Sequence, residues 1–199
     1  TSPVALAISP SNVLYVVDSA SNVVFAFSVD TTTGGLKAVP GSPFAAGGSN
    51  PSSVAIDASG KFLYVTNLLS NTISAFSIGS NGGLVAVSGS PFSAGTGPIS
   101  VGGAPSGESI YVANQGSNTI SKFALSASGV PSVAAGSPVP VGRGPVFVAP
   151  DVGGNFVFAG NGLSGNLSEL SVSSSGSLGN APQSPYATPA TPTSLTTTK

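Results

Sequence analysis

Cysteine, histidine, methionine and tryptophan are all missing from this 199-residue chain. Without cysteine there are no disulfides and no thiolate chemistry, and without histidine the commonest general base and the commonest metal ligand are gone. Charge is scarce as well. Five Lys or Arg against six Asp or Glu leave a net charge of −1, so nothing supplies the basic stripe that a nucleic-acid backbone or an anionic membrane requires. No apolar run reaches the roughly 18 residues of a membrane-spanning helix. The start, "TSPVALAISP", has neither a basic leader region nor an initiator Met, which reads as a processed or excerpted chain.

Gly, Ser, Thr, Asn and Pro supply the polarity instead, because charged residues make up 6% of the chain against about a quarter in ordinary globular domains. A surface of hydroxyls and amides repels its own copies weakly, so self-association costs less here than usual. A hydroxyl-rich, Lys-poor, Cys-free composition points to an extracellular or cell-surface protein.

What the chain does have is a repeat. "YVTNLLSNTISAF" (Tyr64 to Phe76) returns as "YVANQGSNTISKF" (Tyr111 to Phe123), and prolines at Pro3, Pro51, Pro98 and Pro145 open four units at near-constant spacing. Each unit holds an apolar strand, a polar turn, a second strand ("VLYVVD", "FLYVTN", "IYVAN", "FVFAGN"), a third strand, a Gly- or Ser-rich turn and a fourth strand. The fourth closes on Ser42-Pro43-Phe44, Ser90-Pro91-Phe92, Ser137-Pro138-Val139 or Ser184-Pro185-Tyr186. Four short strands per unit, joined by turns too short for helices, predict an all-β, β-propeller-type array of four-stranded antiparallel blades. The blades fall at about 3–50, 51–97, 98–144 and 145–191 of a single domain spanning 1–199.

Leu63 with Val65, and Phe62 with Tyr64, make both faces of one strand apolar, as when blades stack face to face. Tyr15, Tyr64, Tyr111 and Phe158 are placed between blades as wedge-filling aromatics, with the hydroxyl judged dispensable because the fourth copy lacks it. Asp18, Asn67, Asn114 and Asn161 end the second strands and are expected to hold the next turn through Asx-type bonds to backbone N–H groups. Copies spread around a ring cannot converge on one substrate, so these repeated residues are assigned to structure.

"PSSVAIDASGKFLYVTN" followed by "SNTISAFSI" resembles the YVTN repeat of the lactonase-type β-propeller family, and the resemblance covers the whole chain. It implies the propeller fold, a ring of seven blades, and in some members lactone hydrolysis at one mouth of the central tunnel. Four units are present here, and Pro192, Thr193, Ser194, Leu195 and Thr196 begin what would be the first strand of a fifth blade within 192–199. Its unpaired backbone makes that segment a candidate for donation to a neighbouring sheet edge.

Lactone hydrolysis needs a base or activated water beside a cation or dipole that stabilises the oxyanion. Arg143, the single arginine, lies in a fourth-to-first connection, at the mouth that also holds the turns between second and third strands. Asp18 is the acid expected to share it, so Arg143 and Asp18 are the candidate anion-binding pair. Asp57, Glu108, Asp151 and Asp30 belong to the opposite mouth, a strand length of about 17 to 20 Å away. Lys122 and Glu169 occupy matching third-strand positions, for which a solvated rim suffices. The glycines of "GTGPISVGG" lack the Lys-Ser/Thr and the helix of a phosphate loop, and neither EF-hand nor zinc spacing occurs. Asn166-Leu167-Ser168 matches a glycosylation sequon.

The residues therefore call for no catalytic group, no cofactor and no metal. The expected function is a non-catalytic extracellular structural or binding scaffold that associates with itself through blade ends or a donated terminal strand, as a ring or a filament. The alternatives are part of a lactonase-like hydrolase, or a surface adhesin for protein or glycan with Tyr186 as an exposed aromatic.

Overall fold

The computed structural model describes residues 1–194 and folds as four antiparallel sheets. The first strands are Pro3–Ile8, Pro51–Ile56, Pro98–Gly103 and Pro145–Pro150, and the second are Val13–Asp18, Phe62–Asn67, Ser109–Asn114 and Phe156–Asn161. Third strands follow at Val23–Val29, Thr72–Ile78, Thr119–Leu125 and Asn166–Val172. Each sheet is ordered 1-2-3-4, and the first strands of successive blades lie side by side along the inner edge of the array. This is the predicted all-β propeller arrangement.

The fourth strand differs from expectation, because it is broken in two. A first piece (Leu36–Ala38, Leu84–Ala86, Pro131–Val133, Leu178–Asn180) and a two-residue second piece (Phe44–Ala45, Phe92–Ser93, Val139–Pro140, Tyr186–Ala187) both pair with the third strand. In the first blade the chain passes from Ala38 to Phe44 while its partner moves only from Phe27 to Val24. The surplus bulges out at Gly41, Ser42 and the cis Ser42-Pro43 bond, a bond repeated at Ser90-Pro91, Ser137-Pro138 and Ser184-Pro185. A bulge of this kind would leave a third-strand N–H without a ladder partner. The closing serine supplies one: Ser42 Oγ accepts from Ala26 N at 2.9 Å, Ser90 from Ala75 at 3.0 Å, Ser137 from Lys122 at 2.8 Å and Ser184 from Glu169 at 2.9 Å.

Leu63, Tyr64 and Val65 are fully buried although they alternate faces, since blades cover them on both sides. Leu63 and Val65 pack with Val13, Tyr15 and Val17 of the first blade, whereas Tyr64 packs with Ile110 and Val112 of the third. The tyrosine hydroxyls have a partner that spacing alone did not reveal. Tyr15 Oη donates to the Gly82 carbonyl at 2.9 Å and Tyr64 Oη to that of Gly129 at 3.0 Å, each in the third-to-fourth turn of the next blade. The hydroxyl is thus a tie between blades. Phe158 lacks it on a face that no described blade covers, which is why that copy is no guide to the others.

The Ser-Asn turns also reach across junctions. Asn22, Asn71 and Asn118 adopt left-handed backbone (φ 57°, 57° and 56°), which asparagine tolerates better than most residues. Their Oδ1 atoms accept the N–H of Asn50, Gly97 and Gly144, just ahead of the next blade's opening proline, at 2.7, 2.8 and 2.7 Å. The strand-end residues divide into two kinds. Asp18 behaves as an Asx turn, accepting from Ala20 N and Ser21 N. Asn67, Asn114 and Asn161 are instead buried, and each donates from Nδ2 to its own third strand, at Ser74, Ser121 and Ser168 Oγ. A Cβ on Gly48, Gly95 or Gly142 would sit 2.5 Å from one of these amides, so the incoming loop is glycine where the amide presses on it.

The assembly strand expected at the C-terminus is not formed in its described part. Pro192, Thr193 and Ser194 lie outside any strand, and Leu195 and Thr196 fall outside the described residues.

These ties separate two tyrosines that look equivalent. Tyr64→Phe leaves the Gly129 carbonyl unpaired in a buried junction and is expected to cost about 1 to 3 kcal/mol. Tyr111 has no hydroxyl partner among the described residues, and Tyr111→Phe is expected to stay within about 0.5 kcal/mol. Denaturant melts of the two variants, run side by side, check this order.

Candidate functional site

Arg143 and Asp18 are not brought together. Arg143 is exposed, and its backbone is tied to the fourth blade: its N–H donates to Ser164 Oγ at 2.8 Å and its carbonyl accepts from Leu163 N at 3.1 Å. Asp18 belongs to the first blade and is buried. Its carboxylate accepts from Ser21 N, Ser21 Oγ, Ala20 N and Ser2 N at 2.8, 2.8, 3.1 and 2.7 Å. The backbone bond from Ser21 leads the effects that hold Asp18 below the usual carboxylate range. Its lone pairs are thereby committed to local N–H and O–H groups rather than to a proton taken from water.

The acids at the opposite mouth are turn ties too. Asp57 accepts from Phe62 N at 2.7 Å and Lys61 N at 3.0 Å and is closely bonded by Ser59 Oγ. Asp151 accepts from Phe156 N at 2.7 Å and Gly153 N at 3.0 Å, and Asp30 from Thr32 N and Thr33 N. The sequon residue Asn166 opens a third strand, with its Oδ1 accepting from Asn161 Nδ2 at 2.7 Å. Among the described residues no cluster of acids could hold a metal ion, and no helix is long and apolar enough to cross a membrane.

Lys122 is where the structure departs most from a solvated rim. It is only 8% exposed, in a third strand facing the fourth blade. Alanine stands at the matching positions 26 and 75. Lys122 Nζ donates to the Gly176 carbonyl at 2.5 Å, the acceptor equivalent to Gly82 and Gly129, and lies 5.9 Å from the centre of the Tyr111 ring. The lysine has taken over the tie that tyrosine makes at the other two junctions. Tyr111 and Lys122 line a cleft of about 270 Å³ together with Glu108, Ser106, Ser109 and Ser173. Burial pulls the Lys122 ammonium below the ordinary lysine range, against an opposing pull from Glu108, while burial pushes the Tyr111 phenol up. The one sequence signal was the letter that differs between "SNTISAF" and "SNTISKF". Glu169, at the next matching position, is half-buried and accepts from Tyr186 Oη at 2.8 Å.

Among the described residues no further blade covers the rear face of the first blade or the forward face of the fourth. Leu6 is 68% exposed where the matching Val54 is 8%, and Leu36 is 55% exposed where Leu84 is 7%. Val54 and Leu84 have another blade against them, whereas Leu6 and Leu36 have none among the described residues.

Residues 5–148 match the family described as lactonase, 7-bladed β-propeller, and the chain belongs to that family. Solved structures agree on the fold. A candidate 6-phosphogluconolactonase of Bacteroides uniformis superposes with a TM-score of 0.84 at 20% identity, over 96% of this chain and 56% of that one. The periplasmic gluconolactonase of Pseudomonas aeruginosa gives 0.81 at 23% identity, over 98% and 56%. A protein of Desulfotomaculum acetoxidans described as functionally unknown gives 0.73 at 21%, over 94% and 62%. The chain thus spans little more than half the length of these relatives. No curated protein matches it.

A buried lysine leaves a signature in stability against pH. Because its folded pKa lies below the unfolded one, native Lys122 releases its proton first as pH rises. The unfolded chain then holds more protons, and stability climbs through the window that ends near the unperturbed lysine pKa of about 10.4. The buried tyrosines act the other way above about pH 10, since burial pushes Tyr15 up to about 12. In Lys122→Ala the climb is expected to vanish while the high-pH fall remains, as denaturant midpoints between neutral and alkaline pH would show.

Proposed function

We propose that this chain is a non-catalytic, extracellular or cell-surface scaffold whose open blade faces pack against those of a second copy. The observation that carries this reading is the contrast of Leu6 and Leu36 with Val54 and Leu84. An apolar sheet face of blade size favours being covered, and at every internal junction a blade of this same repeat is what covers it. The two ends are also matched in polar groups. Ser2 N–H, which at other junctions would need an asparagine from the preceding blade, is already bonded to Asp18 at 2.7 Å. Gly165, with φ 59°, stands where Asn22, Asn71 and Asn118 stand elsewhere. A fourth-blade face can therefore meet a first-blade face without that bond being missed. Head-to-tail contacts of this kind close a ring if the rotation allows and otherwise give a filament.

Weak surface charge supports the same reading, since little repels an incoming copy. Leu6→Glu with Leu36→Glu is expected to shift the particle to monomer in light scattering at micromolar concentration. A wild-type chain already monomeric there, or a double variant that still associates, would refute the blade-end contact.

Membership of the lactonase family favours a second reading, hydrolysis of a lactone. Against it stands the separation of exposed Arg143 on the fourth blade from buried, fully bonded Asp18 on the first. The purified chain is expected to show no turnover of a simple lactone. Activity lost in both Arg143→Ala and Asp18→Asn would reverse that conclusion.

A further inference from the structure

The junction between the third and fourth blades has been rebuilt around a cleft. At the first two junctions tyrosine donates to the glycine carbonyl and alanine lies beside it, so both polar groups are used up. At the third, Lys122 makes that bond and Tyr111 is freed. An ammonium has three donors, and the Gly176 carbonyl takes one of them. The other two N–H groups and the Tyr111 hydroxyl find no acceptor among the described residues. A cation this deeply buried is costly unless hydrogen-bonded or paired. At the outer end of the same cleft stands exposed Glu108, close enough to act on Lys122 electrostatically. Gly176, at φ 80°, lets Lys122 approach, because a Cβ there would lie 3.2 Å from Nζ.

We propose that this cleft binds a small zwitterion of the amino-acid type, with its carboxylate inward on Lys122 and Tyr111 and its ammonium outward on Glu108. The inner donors suit a carboxylate, since an ammonium and a phenol together offer a charge-assisted and a neutral hydrogen bond to its two oxygens. The outer carboxylate suits a cation. A cleft of about 270 Å³ lies just under the range of about 300 to 1,000 Å³ usual for pockets of drug-sized ligands, which suits a compound of a few carbon atoms. Asp151, the other acid whose charge reaches Tyr111, is held by its own turn.

Glycine is the probe, with acetate and methylammonium as its two halves, in titrations followed by NMR shifts of the Tyr111 ring and the Lys122 side chain. Glycine is expected to saturate both signals, acetate to bind more weakly and methylammonium not to bind. Tyr111→Phe should weaken glycine by about tenfold, the effect of one hydrogen bond of ordinary strength, and Lys122→Ala should abolish binding. Lys122→Ala restores the residue found at positions 26 and 75, so its fold can be checked by melting alongside the wild type. Glu108→Gln separates ligand binding from a merely structural role: it should weaken glycine and tighten acetate, because the acid that pairs with the ammonium also repels a bare anion. Unsaturable shifts would mean that the cleft holds only water, and glycine binding that survives Lys122→Ala would mean that Lys122 does not receive the carboxylate; either result would overturn the proposal.

Discussion

A sheet with two apolar faces cannot stand alone in water, and the covering of one blade by the next is what the rest of this molecule depends on. Burial of apolar surface is strong but non-directional, so it brings blades together without fixing how far one slides over another. Polar ties do the fixing. Tyr15 and Tyr64 reach glycine carbonyls in the following blade's outer turn, while Asn22, Asn71 and Asn118 catch the chain as it enters the following blade. Near the axis, Ser53 Oγ accepts from Val101 N and Ser100 Oγ from Val148 N, at 3.3 and 3.2 Å. The second junction is thus held at its rim, at its entry loop and along its inner edge; the first has the rim and entry ties, with Ala5 where Ser53 and Ser100 stand, and the third uses Lys122 at its rim, so that an error in stagger would break several bonds at once.

The repeat, the strand order and the two-faced second strand could be read from the letters because they are local: a period, an alternation, a turn residue. The ties could not. The partner of Tyr64 is a backbone carbonyl 65 residues away, and a backbone acceptor has no letter of its own. The closing Ser-Pro pairs were visible as a motif, yet their task, receiving a third-strand N–H where the fourth strand bulges, depends on a break in pairing that no composition rule marks. The strand-end residues misled for a related reason. Aspartate and asparagine share Asx geometry, but Asn67, Asn114 and Asn161 carry donors and use them on buried hydroxyls, whereas Asp18 can only accept.

In a repeat protein the conserved letters within the chain are absorbed by packing, so individuality must lie where one copy breaks the pattern. Position by position, alanine, alanine, lysine and glutamate occupy residues 26, 75, 122 and 169, all on the face turned towards the following blade. Two alanines allow close apolar contact. Lys122 opens that contact into a cleft, and Glu169, bonded to Tyr186, puts a carboxylate on the last open face. The polarity of the forward face therefore rises along the chain.

That gradient gives the array a direction. The rear face of the first blade presents Leu6, Ile8 and Leu36 together with the stacked pair Phe25 and Phe27, and it has no charged side chain among those groups. The forward face of the fourth presents Phe156 and Phe158 beside Glu169 and Tyr186. Two forward faces brought together would set carboxylate against carboxylate, which is disfavoured in a partly dry contact. A forward face on a rear face buries a single carboxylate already holding a phenolic hydrogen bond, a smaller cost. Charge placement thus favours head-to-tail over tail-to-tail contact, in the same sense in which the chain stacks its own blades.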